Sequence, residues 1–236
     1  MLIRGFQKLS MIDYPGLASS VVFFFGCNFR CSFCHNPELL DEATSVEYGL
    51  KTYTEEEILN YLEENLGFID GVVVTGGEPT INAGLPEFIR KVYELGLKVK
   101  LDTNGTNFEM LQLLLEKKHV DFVAMDIKSC FENYEKITNS KIDTEVIKKS
   151  IDIVKRFPNY EFRITIAPGI TKEDITKIGE YLNNVGANRT LAIQQFRPDK
   201  CLDKELQEYP KTSDKILEEF SAIAKPFFEK VVLRKE

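Results

Sequence analysis

The sequence predicts an α/β protein built on a parallel β-sheet. Short runs rich in Val, Ile, Phe and Leu alternate along the chain with longer stretches of helical periodicity, and this alternation is typical of parallel strands joined by helices. Glycines and polar residues follow the apolar runs. The 236 residues contain no internal repeat and no proline-rich linker, which favours a single domain over residues 1–236.

The apolar runs predict six strands. They cover residues 20–25, 71–75, 98–102, 121–126, 161–166 and 190–196. Parallel strands joined by helices wind right-handed, and six such units can close partly into an incomplete barrel or lie open as a doubly wound sheet. In both arrangements the chemistry is expected at the carboxyl ends of the strands.

Six helices are predicted between and after these strands. They cover residues 54–66, 84–95, 107–117, 142–157, 172–184 and 212–224. Thr54 and Glu57 have the spacing of a capping box, and Thr171 and Asp174 repeat it with a shorter acidic side chain. Gly96 follows the second helix, where a glycine can take the left-handed conformation that ends a helix.

Charge and hydropathy exclude two classes of partner. The chain has 30 basic and 37 acidic residues, a net charge of -7, and no basic block, so we expect no nucleic-acid partner. The longest apolar stretch, residues 21–25, is far shorter than the roughly 20 residues that span a bilayer, so we expect no membrane partner. The N-terminus lacks the apolar core of a secretory signal, which predicts a cytoplasmic location.

The cysteines predict a metal site rather than disulfides. Their number is odd, and Cys27, Cys31 and Cys34 lie within eight residues of each other, which is not the pattern of a disulfide framework. A C-x3-C-x2-C loop can present three thiolates to one compact cluster, leaving one metal position open. A structural zinc site needs four protein ligands, and His35 is poorly placed as the fourth because it adjoins Cys34.

These motifs resemble those of the radical S-adenosylmethionine superfamily. The resemblance rests on the cysteine loop at residues 26–37 with Phe33 before its last cysteine, on Gly76-Gly77-Glu78-Pro79, and on the βα pattern. Four segments are similar to the glycyl-radical-enzyme activating enzymes, which include pyruvate formate-lyase activating enzyme and the anaerobic ribonucleotide reductase activating protein. They are Asp13-Tyr14-Pro15-Gly16, Cys34-His35-Asn36-Pro37, Asp102-Thr103-Asn104-Gly105 and Asp126-Ile127-Lys128. The resemblance spans nearly the whole chain and implies a partial TIM-like (β/α)6 barrel.

The resemblance also implies the cofactors. Cys27, Cys31 and Cys34 would hold one 4Fe-4S cluster whose fourth iron is open to S-adenosylmethionine. The cofactor-binding residues that it implies are Phe33, Cys34, His35, Gly76, Gly77, Glu78, Asp102, Thr103, Asp126, Ile127, Lys128, Arg163 and Arg197.

Within that set the resemblance assigns separate tasks. The stretch around Phe33 and His35 would contact the adenine end, and the glycine pair with Glu78 would meet the methionine amino group. The segments at residues 102–103 and 126–128 would lie beside the methionine carboxylate and can include a monovalent cation. Two carboxylates near an anionic ligand need an intervening cation or lysine.

Several of these residues also have a structural interpretation. Phe33 can belong to the core, and Asp102 can form an Asx turn with the Asn-Gly pair that follows. Arg163 and Arg197 can be surface cations. Cys130 and Cys201 match no motif, and single thiols are usually small buried apolar groups.

The implied activity is the reductive cleavage of S-adenosylmethionine to methionine and a 5'-deoxyadenosyl radical, which abstracts the α-hydrogen of a glycine in a partner glycyl-radical enzyme. The segment at residues 5–16 looks most like the ribonucleotide-reductase-activating branch, so an anaerobic ribonucleotide reductase is the favoured partner. A flavodoxin or ferredoxin would supply the electron.

Two other functions are compatible with the cysteine loop. One is a radical S-adenosylmethionine enzyme that acts on a small molecule or nucleoside, as carboxy-deazaguanine synthase does. The other is a non-catalytic zinc-binding interaction module that uses the three cysteines and His35. Iron and sulfide analysis distinguishes the zinc module from both radical enzymes.

Overall fold

Eight β-strands form one continuous sheet in the computed structural model, which describes residues 2–235. In chain order they are β1 (Ile3–Ser10), β2 (Ser19–Phe24), β3 (Gly71–Gly76), β4 (Lys98–Thr103), β5 (Phe122–Asp126), β6 (Asn159–Ile166), β7 (Thr190–Gln195) and β8 (Lys230–Arg234). Their order in the sheet is their order in the chain. Every pair from β2 to β8 is parallel, whereas β1 runs antiparallel to β2.

The six predicted strands are confirmed as β2 to β7, with small differences at their ends. The prediction of six strands in total is wrong, because β1 and β8 extend the sheet at its two edges. β1 contains Gly5, Gln7 and Lys8, and only its first and last residues are buried, so it lacks the apolar run by which a buried strand is recognised. β8 has only five residues, none of them fully buried.

Helices connect the parallel strands. They are α1 (Glu42–Glu47), α2 (Glu55–Glu64), α3 (Leu85–Glu94), α4 (Phe108–Lys117), α5 (Tyr134–Thr138), α6 (Thr144–Val154), α7 (Lys172–Asn184) and α8 (Asp214–Ala224). The six predicted helices are confirmed as α2, α3, α4, α6, α7 and α8, while the short α1 and α5 were not predicted. Within residues 2–235, none of the helices has the length and apolar character that crossing a membrane requires.

The predicted helix ends have their expected local structure. The Thr54 and Thr171 side chains each accept a hydrogen bond from the third residue of their helix, and the acidic side chain of that residue bonds back. Gly96 has a φ of +82° just after α3, which is the left-handed conformation that favours glycine.

The two faces of the sheet differ in what they bury. The main apolar core contains alternate residues such as Val22, Phe24, Val72 and Val74, and it includes the inner faces of the helices. On the opposite face, Tyr14 from the β1–β2 loop packs with Val21 and Val73 in a small second cluster. This second face is the concave interior of an incomplete barrel, and Tyr14 fills its amino-terminal end.

The carboxyl-terminal part of the concave face is polar. Five successive strands contribute Asp102, Asp126, Arg163, Gln194 and Arg234 to the wall of one cavity. Because side chains alternate between the two faces of a strand, the same strands place apolar neighbours such as Leu101 and Phe162 in the core. The fold therefore provides a cavity lined by charged residues at the carboxyl ends of the strands.

Candidate functional site

The three clustered cysteines lie in the loop after β2 and line one cavity of about 330 Å³. Cys27, Cys31 and Cys34 are all free thiols. The loop leaves the strand through Gly26, whose φ is +90°, and it turns so that the Cys34 N–H donates to the Cys31 carbonyl at 3.0 Å. The backbone N–H of Phe29 donates to Cys27 Sγ at 3.4 Å.

The surroundings of the thiols oppose ionisation in the absence of a metal. Burial raises the pKa of Cys27 to about 12 and that of Cys31 to about 11, although the nearby Lys128 ammonium lowers both pKa values. Burial also raises the pKa of Cys34. Metal binding must therefore displace protons from these thiols.

The donor set fits an iron–sulfur cluster. Among residues 2–235, no three His, Cys, Asp or Glu side chains are gathered closely enough to surround a single metal ion. A four-iron cluster needs instead one thiolate at each of several separate corners. Three free thiols around one cavity meet that need and leave one corner for another ligand.

The cysteine loop is held from both sides by other parts of the chain. His35 Nε2 is hydrogen-bonded to the Arg197 carbonyl at 2.7 Å, and the Leu202 N–H donates to the Cys34 carbonyl at 3.1 Å. On the other side, the Arg30 N–H donates to the Thr138 carbonyl at 3.0 Å. The segment after β7 and the end of α5 thus fix the loop that carries the thiols.

The glycine pair after β3 packs directly against this loop. A Cβ on Gly77 would lie 2.1 Å from the Gly26 carbonyl oxygen, and a Cβ on Gly76 would lie 2.4 Å from the backbone of Phe24. The Gly77 N–H donates to the Phe24 carbonyl at 2.9 Å, and the Glu78 N–H donates to the Gly26 carbonyl at 2.7 Å. Only residues without a Cβ permit this approach.

Glu78 is buried, and its carboxylate is fully engaged by the protein. It accepts hydrogen bonds from Thr103 Oγ1 at 2.8 Å, from the Asn104 N–H at 2.6 Å, and from the N–H and the hydroxyl of Thr80. Burial raises the pKa of the Glu78 carboxyl, while these donors lower it. The carboxylate joins the ends of β3 and β4 at the cavity wall.

Five charged side chains form a continuous chain of ion pairs beside the thiols. Lys100 Nζ lies 2.5 Å from Asp102 Oδ1, and Arg163 Nη1 lies 2.9 Å from Asp102 Oδ2. Arg163 Nε lies 2.6 Å from Asp126 Oδ1, and Lys128 Nζ lies 2.9 Å from Asp126 Oδ2. With three cations and two anions, this series of ion pairs has a formal charge of +1.

The pKa shifts agree with this pairing. Burial alone would raise the pKa of Asp102 and of Asp126, but the neighbouring cations outweigh it and hold both below their usual range. Burial would lower the pKa of Lys128 and of Arg163, but the facing carboxylates raise both. All four side chains are therefore charged at neutral pH.

The structure brings almost all of the predicted site residues together. Those that line the cavity are Cys27, Cys31, Phe33, Cys34, His35, Gly76, Gly77, Glu78, Asp102, Thr103, Asp126, Lys128, Arg163 and Arg197. Ile127 lies instead in the apolar core, and only its N–H, which donates to the Arg163 carbonyl at 2.8 Å, belongs to the frame of the site. Cys130 and Cys201 are buried in the same core.

The predicted set of cofactor-binding residues leaves out several cavity residues. Asp13, Asn104, Gln194 and Arg234 also line the cavity, and Lys100 is 2% exposed beneath it. Lys100 carries a signal that could have found it, because a lysine at the centre of a buried strand and two residues before Asp102 shares the face of that aspartate.

Comparison with known proteins agrees with the geometry. The sequence model of the Radical SAM superfamily matches residues 21–182. A protein of Methanocaldococcus jannaschii that carries the provisional name glycyl-radical enzyme activating enzyme is 36% identical over 99% of this chain and 95% of its own length. Pyruvate formate-lyase-activating enzyme of Clostridium pasteurianum is 31% identical over 78% of this chain and 76% of its own.

A solved structure shows the same fold at low sequence identity. Streptococcus suis SuiB bound to the precursor peptide SuiA superposes with a TM-score of 0.68 at 12% identity, over 91% of this chain and 48% of that one. The family match covers well over half of the chain, and the first relative is similar along almost its full length. The chain therefore belongs to the radical S-adenosylmethionine superfamily.

Proposed function

We propose that this chain is an activating enzyme that generates a glycyl radical on a partner enzyme. It cleaves S-adenosylmethionine reductively to methionine and a 5'-deoxyadenosyl radical, which takes the α-hydrogen of the target glycine. The observation that carries the proposal is the single cavity in which three free thiols face the ion-pair chain from Lys100 to Lys128. The full-length similarity to a protein named as an activating enzyme supports the choice of substrate.

Cys27, Cys31 and Cys34 hold one 4Fe-4S cluster in this proposal. Once bound, the cluster supplies the low-potential electron that the cleavage requires, since such clusters reach about -700 mV. Because only three cysteines would hold the cluster, S-adenosylmethionine would have room to bind beside it in the same cavity.

The charged wall of the cavity orients the methionine end. The net positive charge from Lys100 to Lys128 attracts a carboxylate, and the Lys128 ammonium lies close enough to the three thiols to lower the pKa of each of them. The guanidinium of Arg163 lies between Asp102 and Asp126. We assign to this guanidinium the charge-compensating task for which a monovalent cation was expected.

The other predicted residues bind the remaining groups. Carbonyl groups near Gly76 and Gly77 accept from the methionine ammonium, while Glu78, whose oxygens already have protein donors, holds the ends of β3 and β4 together beside it. Phe33 and His35 border the adenine end, and Thr103 supports Glu78. Arg197, which is paired with Asp199 at 2.8 Å, lies at the rim.

The partner is a glycyl-radical enzyme in the cytoplasm, with an anaerobic ribonucleotide reductase favoured by residues 5–16. The electron comes from a flavodoxin or ferredoxin. The open edges of the sheet at β1 and β8 leave a lateral entrance through which a peptide loop can approach the cavity.

The test is to mix the anaerobically reconstituted, reduced chain with S-adenosylmethionine and a candidate glycyl-radical enzyme from the same genome. A glycyl radical detected by electron paramagnetic resonance, with one equivalent of 5'-deoxyadenosine, is the expected result. The Cys31→Ala variant serves as the control without radical formation. Formation of 5'-deoxyadenosine only with a small molecule or nucleoside would instead assign the chain to that class of radical enzyme.

A further inference from the structure

Asn104 lies in the turn after β4 and is only 5% exposed. Its backbone N–H donates to Glu78 Oε2 at 2.6 Å, and its side-chain oxygen accepts from the N–H and the hydroxyl of Thr106 at 3.0 and 2.7 Å. Its side-chain nitrogen donates to Asn28 Oδ1 at 3.0 Å and lies 3.9 Å from Cys27 Sγ.

The orientation of this amide follows from its partners. The Thr106 N–H can only donate, so it fixes the oxygen of Asn104 on that side and the NH2 group on the side of Cys27. Asn28 Nδ2 donates to Thr106 Oγ1 at 2.8 Å, which closes a ring of three side chains. The ring leaves the Asn104 amide no alternative orientation that satisfies the same donors.

We propose that Asn104 is a positioning residue that directs a side-chain N–H at the Cys27 sulfur and thereby raises the reduction potential of the bound cluster. This inference rests on the proposed function, in which Cys27 is a cluster ligand. A reduced cluster carries one more negative charge than an oxidised one, and a donor aimed at a ligand sulfur stabilises the reduced form more. The Phe29 N–H acts on the same sulfur at 3.4 Å.

Two variants distinguish a direct effect of the Asn104 N–H on the cluster from an effect of the hydrogen-bonded ring on the local structure. Asn104→Ala removes both the ring and the N–H near sulfur, whereas Asn28→Ala breaks the ring and leaves the Asn104 amide in place. Each full-length chain is reconstituted anaerobically, its iron and sulfide are measured, and its cluster is titrated potentiometrically by electron paramagnetic resonance.

The reduction equilibrium of Asn104→Ala is expected to move about threefold to tenfold toward the oxidised form, where tenfold corresponds to about 59 mV for one electron. Asn28→Ala is expected to show less than half of that shift. Equal shifts in the two variants, or none in Asn104→Ala, would overturn the inference.

A third variant, Asn104→Asp, tests the inference even if Asn104→Ala does not retain its cluster. Asn104→Asp keeps the shape and the acceptor for Thr106 but turns an oxygen anion toward sulfur, so it should shift the equilibrium further in the same direction. An unchanged reduction potential in Asn104→Asp would contradict the proposed role of Asn104 but not the proposed function of the protein. A wild-type chain that takes up no iron and sulfide contradicts the proposed function itself.

Discussion

Arg163 and Asp126 are register partners on neighbouring strands, and the guanidinium Nε lies 2.6 Å from the carboxylate. The same guanidinium reaches Asp102 on the far side of β5 at 2.9 Å. The three strands β4, β5 and β6 are therefore joined through their concave face by one side chain. Removing this side chain would leave each of the two buried aspartates with a single lysine as its partner.

Arg163→Met should weaken both folding and cofactor binding. Without the guanidinium, Asp102 and Asp126 face each other with only the two lysines to balance them, and breaking a buried pair typically costs about 3–5 kcal/mol. We expect a lower free energy of unfolding in urea, and at least a tenfold loss in S-adenosylmethionine affinity measured by anaerobic calorimetry. The exposed Arg90, which pairs with Glu87 and Glu94 on α3, provides the control Arg90→Met. Equal small effects in both variants would contradict the role of Arg163.

Gly77→Ala should detach the cysteine loop from β3. The added methyl group would overlap the Gly26 carbonyl at 2.1 Å, and because backbone atoms surround it, the start of the loop must move. We expect the reconstituted variant to retain less than half of the wild-type iron and sulfide. Gly67→Ala is the control for backbone strain without a steric clash, since Gly67 has a positive φ, which an alanine rarely adopts, but nothing within 4 Å of an added Cβ. Full iron retention in Gly77→Ala would show that the glycine pair is not needed to place the thiols.

Asp174 should make the free energy of unfolding depend on pH in the acidic range. Burial alone would raise the pKa of Asp174, but hydrogen bonds from Cys130, Thr171 and Asn133 outweigh it and hold the pKa below its usual value. A depressed folded-state pKa stabilises the fold above the unfolded pKa of about 3.9, and this contribution is lost as pH falls further toward the folded pKa. Asp174→Asn should therefore lower the free energy of unfolding at pH 7 by about 1–3 kcal/mol, and the difference should shrink below about pH 4. A difference that is constant from pH 7 to pH 3 would contradict this account.

Much of the fold could be predicted because strong periodicity coincides with burial. The strands β2 to β7 are apolar runs buried between helices and the barrel interior, and both capping boxes follow from spacing alone. The edge strands β1 and β8 were not predicted, because they are only partly buried and lack a continuous apolar run. Arg234, at the end of β8, was missed for the same reason.

The site residues could be predicted where sequence motifs follow the strands. They were harder to predict where tertiary packing determines which residues come together. The cysteine loop and the segments at residues 76–78, 102–103 and 126–128 lie around one cavity, as the carboxyl ends of parallel strands require. The contact that defines Asn104 joins residues distant in the chain. Asn104 belongs to the family-like segment at residues 102–105, but no local pattern shows that its side chain approaches a sulfur 77 positions away.

The most direct test of the central claim is electron paramagnetic resonance of the anaerobically reconstituted, reduced chain with and without S-adenosylmethionine, beside Cys31→Ala. The account predicts the signal of a reduced 4Fe-4S cluster, a change in that signal when S-adenosylmethionine is added, and its loss in the variant. A chain that binds zinc without iron or sulfide, or a cluster whose signal is indifferent to S-adenosylmethionine, would contradict the account.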